Sequence, residues 1–446
     1  MNHKGTIITF YSYKGGTGRS MSIANIACLM SKKYASSSNR ILMIDFDLEA
    51  PGLHNFFSKI SKKLNDDYLG VINYFHAMNH IFKKDKSVYL NSISNDYKLL
   101  ENILPIHNYI IPDVMPNLDM MKAGHFNLDY SALVTSFDWY TFYRQFGESI
   151  RVFREIISSK YKFILIDSRT GLTDISGICS MLLPEKLVGV FTPNLQSIDG
   201  LLSLVKQAIE YRRSSDDFRP LAVFPLPSRI DIDEPRRRQE WRNAYQKKFE
   251  NLFKEIYDLE SCHLSDYFDD IQLPHTKYYA YGEDIAVLVE ERNDSLSLSR
   301  AYQNFFKRLI EGDYAWQSMN TDIKVFISYA SEDYTIAEKL HHDLKQAGIN
   351  SWLDKEDLLP GQKLKTTIGQ IIQESNYFLF LISHHSLLDH GDLNNEQKMI
   401  LNILDEYSSD IIIIPVKLDN TKILNDRFND IQWADLSNYE KGFKQL

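Results

Sequence analysis

The stretch Tyr11-Ser12-Tyr13-Lys14-Gly15-Gly16-Thr17-Gly18-Arg19-Ser20 decides how the N-terminal half reads. An apolar run, Ile7 to Tyr11, precedes it. A helical pattern follows from Ser20 to Met30, with Ile23, Ile26, Ala27 and Met30 on one face. A glycine-rich string between a strand and a helix is the sequence form of a phosphate loop. Glycines let the chain turn tightly and aim successive amides at phosphate oxygens. The helix N-terminus adds partial positive charge. Ser20 stands where a hydroxyl can hold Mg²⁺. Lys14, Gly15, Gly16, Thr17, Gly18, Arg19 and Ser20 are therefore candidate nucleotide-binding residues.

Two further motifs join this loop. Ile41 to Ile44 reads as a strand running into Asp45-Phe46-Asp47, and Phe163 to Ile166 as another ending at Asp167. In a parallel α/β sheet the carboxyl ends of strands converge on the ligand crevice. Asp45, Asp47 and Asp167 are thus expected to face one Mg²⁺–phosphate group, with Ser20, Asp45 and Asp167 toward the metal, partly through water. A glycine turn alone would fit many α/β domains; the order of the three motifs narrows the choice. Leu187 to Phe191 and Leu221 to Phe224 are two more strands. The region from Asp66 to Ser149, rich in Asn, Asp, Tyr and His, reads as an insertion of helices and loops beside the sheet. Charged or amphipathic helices are expected over Arg236–Glu255 and Ser295–Ile310.

This arrangement resembles the deviant Walker A ATPases, the family of chromosome-partitioning and division-site-selecting ATPases and of nitrogenase iron protein. It is most similar to the bacterial branch with the signature KGGVGR. The resemblance implies that Lys14 reaches across a nucleotide-sandwich dimer, that Asp47 activates the attacking water, and that Asp167 supports Mg²⁺ through water. Arg19 occupies the position that usually holds the main phosphate-binding lysine. Arginine keeps the charge but changes the geometry, so slow ATP turnover is expected. Related proteins hold the purine base near Asn194 and the segment Pro225–Arg229; a plain loop role fits these residues at least as well. Arg236-Arg237-Arg238 reads as a solvated helix face.

After the polar stretch Gln317 to Asp322 the βα alternation restarts. The expected strands are Val325–Ser328, Asn350–Leu353, Tyr377–Ile382 and Ile411–Val416. Helices are expected over Ile336–Ala347, Leu364–Glu374 and Asn394–Tyr407, giving a second, smaller flavodoxin-like sheet. The run Phe326-Ile327-Ser328-Tyr329-Ala330-Ser331-Glu332-Asp333, the strand end Trp352-Leu353-Asp354 and the loop Leu359-Pro360-Gly361 resemble a bacterial TIR domain. TIR domains are scaffolds, or enzymes that cleave NAD⁺ at the nicotinamide–ribose bond. The resemblance implies Glu396 as the catalytic carboxylate, with Tyr329, Trp352, Asp354 and Ser383 lining the NAD⁺ pocket. A first-turn glutamate is also what a helix dipole favours, and Trp352 is equally a core residue in kind.

Composition bounds the whole. The chain has 446 residues, 44% hydrophobic and 24% charged, which excludes a disordered chain. The three cysteines, Cys28, Cys179 and Cys262, form neither a disulfide framework nor a zinc motif. A cytoplasmic location is expected, with no membrane partner. The net charge of −9 argues against nucleic acid as the main partner. The expected organisation is a P-loop NTPase parallel-sheet domain over 1–312, a linker over 313–322 and a TIR domain over 323–446. ATP, Mg²⁺ and NAD⁺ are the expected small molecules. Self-association, and a phage or partner-protein trigger, complete an anti-phage effector; the rival is a non-enzymatic TIR adaptor positioned by a partitioning-type ATPase. A TIR product that is a cyclic variant of ADP-ribose fits the same residues.

Overall fold

The computed structural model describes residues 4–443 apart from 66, 95–96, 216, 218, 291–296, 317–323, 348, 354–370, 373–374, 376, 388–397, 399–400, 403–411 and 420–430. The chain forms two compact units, residues 1–319 and 320–446.

The first unit is built on seven strands: β1 (Thr6–Tyr11), β2 (Ile41–Asp45), β3 (Ile111–Met115), β4 (Leu118–Met121), β5 (Phe163–Asp167), β6 (Lys186–Phe191) and β7 (Ala222–Pro227). Their order across the sheet is β3-β4-β2-β5-β1-β6-β7. All pairs are parallel except β3 with β4. The strands read as continuous apolar runs because both faces are covered. Ile8, Phe10, Met43 and Leu165 enter one core. Their alternating neighbours Ile7, Leu42, Ile44, Ile164 and Ile166 enter the other.

The Asp66–Ser149 region departs from expectation. It is not confined to helices and loops beside the sheet: β3 and β4 lie within it and extend the sheet past β2. Their apolar signal is broken by buried or turn-forming polar residues. Asp119 within β4 is 3% exposed; Arg40 pairs with its charge and the Tyr161 hydroxyl donates a hydrogen bond to it at 2.8 Å. Asp113 within β3 has φ +52°.

The helix Arg19–Tyr34 connects β1 to β2, and the helix Leu298–Glu311 packs against it through Ser22 and Tyr302, whose oxygens lie 3.3 Å apart. Tyr314 and Trp316, in the stretch expected to be linker, stack at 4.6 Å between ring centres, with Trp316 also 4.5 Å from Tyr257.

The second unit holds β8 (Lys324–Ser328), β9 (Asn350–Trp352), β10 (Tyr377–Ile382), β11 (Ile412–Lys417) and β12 (Ala434–Asp435). The sheet is parallel throughout, in the order β12-β11-β10-β8-β9. Numbered within the unit, this is the 2-1-3-4-5 order of flavodoxin-like folds. The helix Tyr334–Gln346 connects β8 to β9 and buries Ala337, Leu340 and Leu344. The expected helices over Leu364–Glu374 and Asn394–Tyr407 lie mostly outside the described residues; 371–372, 398 and 401–402 are helical.

Candidate functional site

β2, β5 and β1 are neighbours in the sheet, so their carboxyl ends bring together the three motifs that are far apart in sequence. Asp45 and Asp167 are register partners, and Phe10, just before the glycine loop, pairs with Asp167.

The loop has the backbone its sequence requires. Gly16 and Gly18 have φ of +73° and +84°, values that side chains rarely adopt. Gly18 is the N-cap of the helix Arg19–Tyr34, and no side chain caps that end. A Cβ built on Gly15, Gly16 or Gly18 would meet no protein atom within 4 Å, so the loop frames open space. Around it, Ser12 Oγ, Thr17 Oγ1 and Arg19 Nη1 are buried without a hydrogen-bond partner. A buried unsatisfied polar group costs about 1–3 kcal/mol. Three of them at one glycine loop match a ligand rich in oxygen. Lys14 is half-buried, Gly15 is exposed and Ser20 is half-buried.

Arg19 occupies the centre. Its guanidinium donates from one Nη to Asp47 Oδ2 at 2.8 Å and from Nε to Asp167 Oδ1. Burial works against its charge, and the Asp167 and Asp47 carboxylates outweigh that, so it stays firmly protonated. Asp45 is fully buried. Its carboxylate accepts from the backbone amides of Asp47 at 3.1 Å and of Gly52 and Leu53 at 3.2 Å, which shapes the loop that presents Asp47. Burial first, then Asp167, pushes the Asp45 carboxyl well above the usual range. Burial also raises Asp167, opposed by Arg19 and by the Ser20 hydroxyl. The sequence-predicted set Arg19, Asp45, Asp47, Asp167 and Ser20 is therefore one cluster, with Arg19 bridging two carboxylates.

Among the described residues, no group of three or more His, Cys, Asp or Glu is placed to hold a metal by itself. A Mg²⁺ ion here would depend on phosphate and water oxygens for much of its shell, its usual habit.

Two contacts escaped sequence reasoning. Ser228, after β7, donates its hydroxyl to the Thr17 carbonyl at 2.7 Å and so props the loop from 211 positions away. Gly200, in the helix Leu195–Ser214, lies against the Tyr13 ring: a Cβ there would come within 2.2 Å of Tyr13 Cγ. Gly200→Ala is expected to cost about 1–3 kcal/mol by overpacking and to weaken ATP binding. Gly15→Ala, whose methyl meets only open space, should leave stability intact and weaken ATP binding alone. Thermal unfolding beside ATP titration separates the two outcomes.

Near the ends of β6 and β7, a cavity of about 210 Å³ is lined by Pro193, Arg229, Arg237, Arg238, Trp241 and Tyr245, among others. Two members of the arginine run thus border a concave site, although the run itself is exposed.

In the second unit, Ser383 is buried at the end of β10. Its hydroxyl donates to Asp333 Oδ2 at 2.5 Å and accepts from the His385 amide at 3.0 Å. Tyr329 is buried; Trp352 is half-buried and stacks on Phe326 at 5.1 Å. Glu396 and Asp354 lie outside the described residues. His384 pairs with Asp419 at 2.6 Å.

Residues 325–446 match the family model described as TIR domain, and the second unit carries that domain. No curated protein matches the chain. Solved structures of similar fold include a variant of McdA from Cyanothece in complex with ATP (11% identity, 70% of this chain and 98% of that one, TM-score 0.46). A putative plasmid partition protein from Borrelia burgdorferi bound to AMPPNP is another (17%, 69% and 99%, 0.41). The cell division ATPase MinD of Pyrococcus furiosus is a third (15%, 68% and 99%, 0.41). No helix among the described residues is long and apolar enough to cross a membrane.

Proposed function

We propose that the chain is an anti-phage effector in which ATP binding by the first unit drives self-assembly and the TIR domain then cleaves NAD⁺ to nicotinamide and ADP-ribose products. The observation that supports the nucleotide half is the group of buried, unpartnered polar atoms, Ser12 Oγ, Thr17 Oγ1 and Arg19 Nη1, around an open glycine loop. Phosphate oxygens supply the acceptors that Arg19 lacks. Gly15 to Gly18 amides and the uncapped helix end take the remaining charge. Ser20, Asp45 and Asp167 are the residues that would hold Mg²⁺, which supplies charge neutralisation to the phosphates.

Arg19 links binding to turnover. While it bridges Asp47 and Asp167, Asp47 is committed to an ion pair. When Arg19 turns to phosphate, Asp47 is released to orient water. Turnover stays slow because the guanidinium serves both carboxylates and phosphate. Lys14, half-buried on the loop, is in no Asp or Glu ion pair among the described residues; its role in this reading is to meet the nucleotide of a second copy.

In the TIR domain, the nicotinamide–ribose bond breaks through an oxocarbenium-like state. Glu396 stabilises its positive charge and holds ribose hydroxyls. Assembly lets a loop of one TIR domain complete the pocket of its neighbour. ATP acts only through its differential affinity for the assembled state.

Sedimentation of the full chain with and without ATP–Mg²⁺ tests the switch. ATP is expected to shift the protein to a dimer or larger species, and Lys14→Ala to abolish that shift while ATP still binds. A profile that ATP leaves unchanged would count against it.

A further inference from the structure

A cavity borders the two segments that follow the carboxylate-bearing strands β2 and β5. The segments after β2 and β5, together with the helices Tyr130–Ser136 and Trp139–Phe146, border a cavity of about 420 Å³. Glu49, Tyr130, Phe137, Trp139, Arg169 and Asp174 line it, and none of the loop residues Lys14 to Ser20 does. The volume is in the lower part of the roughly 300–1,000 Å³ range of ligand pockets. That suits a mononucleotide better than a dinucleotide.

The lining states a chemistry. Phe137 and Trp139, each 6% exposed, meet edge to face at 4.7 Å between ring centres and 61° between planes, and give the cavity an apolar, aromatic side. The Trp139 indole N–H is buried and has no hydrogen-bond partner among the described residues. Arg169, also in the lining, is ion-paired among the described residues with Glu49 alone, which is 54% exposed. An ion pair so open to water is worth about 0–1 kcal/mol, so a phosphate can take the guanidinium bidentately and release Glu49. Asp174 offers a carboxylate to ribose hydroxyls.

We infer that this cavity binds a nucleoside monophosphate, with the base at the Phe137–Trp139 side and the phosphate on Arg169. Its position gives the ligand a role. Glu49 is two residues from Asp47 and Arg169 two residues from Asp167, so the occupant holds the same two segments that present the carboxylates around Arg19. Occupancy regulates the nucleotide switch from beside it.

The test uses the full chain saturated with AMPPNP–Mg²⁺ and titrated with AMP, GMP and UMP by calorimetry. At least one should bind with one-to-one stoichiometry on top of AMPPNP. Its affinity should fall about tenfold or more in Arg169→Ala and in Arg169→Glu, and likewise when the phosphate is removed from the probe. Both variants alter a partly exposed side chain and are checked for unchanged thermal unfolding. Trp139→Phe should weaken the same probe severalfold and leave AMPPNP affinity unchanged. Three results would overturn the site: no monophosphate binding at millimolar concentration, binding that AMPPNP displaces, or binding indifferent to Arg169. AMPPNP binding is read in the same titrations, so loss of the phosphate-loop assignment would show separately.

Discussion

Arg19→Ala is expected to destabilise the ligand-free first unit by about 3–5 kcal/mol at neutral pH, the cost of breaking a buried ion pair by removing one partner. The Arg19 side chain is 7% exposed and its partners Asp47 and Asp167 are 13% and 1% exposed. Without the guanidinium, those two carboxylates and fully buried Asp45 would share one pocket with no other cation among the described residues in hydrogen-bond reach. The loss should depend on pH in a defined sense. Burial raises the Asp45 and Asp167 carboxyls in the folded state, and Arg19 opposes this at Asp167. A carboxyl with a raised folded value favours folding when protonated. Its contribution is complete below the unfolded value of about 3.9 and is lost as pH rises through the folded value. The Arg19→Ala deficit should therefore shrink as pH falls from neutral toward the acid range. Urea unfolding at several pH values, following the transition that ATP stabilises, measures it. Arg19→Lys should fall between, since an ammonium keeps the charge but lacks the planar fork that spans both carboxylates. Wild-type stability in Arg19→Ala would remove Arg19 from the centre of the site.

Glu396→Gln is expected to reduce nicotinamide release about 10²–10³-fold, the usual loss when one preorganised charge-stabilising group is removed. Glutamine keeps the size and polarity of the side chain and deletes the charge that meets the oxocarbenium-like ribose. ATP-dependent assembly should be unaffected, because the phosphate loop and its carboxylates all lie in the first unit. Undiminished release in Glu396→Gln would discard this residue as the catalytic carboxylate. Release absent from the wild type in every assembled state would favour the adaptor.

Much of the fold was legible because the strands of a sheet covered on both faces are short apolar runs. Tyr377–Ile382 and the core of β1, β2, β5 and β6 stand out for that reason. β3 and β4 did not, because Pro112, Asp113 and Asp119 interrupt them and the partners that hold Asp119, Arg40 and Tyr161, come from elsewhere in the chain. The phosphate loop was legible in its glycines, two of which take the positive φ that makes glycine necessary. The state of Arg19 was not. Sequence assigns it to phosphate by position, whereas its pairing with Asp167 spans 148 residues and appears only once β5 is laid beside β1. Ser228 and Gly200 escaped for the same reason: each meets the loop through a long-range contact that no local pattern encodes.

The most direct measurement is nicotinamide release from NAD⁺ by the full chain with ATP–Mg²⁺, with AMPPNP–Mg²⁺ and with no nucleotide, alongside sedimentation of the same samples. Release should require nucleotide, rise with the assembled fraction and persist with AMPPNP, because in the proposed switch binding, not hydrolysis, drives assembly. Release that is equal without nucleotide, or that occurs in samples remaining monomeric, would contradict control of the TIR domain by the phosphate loop.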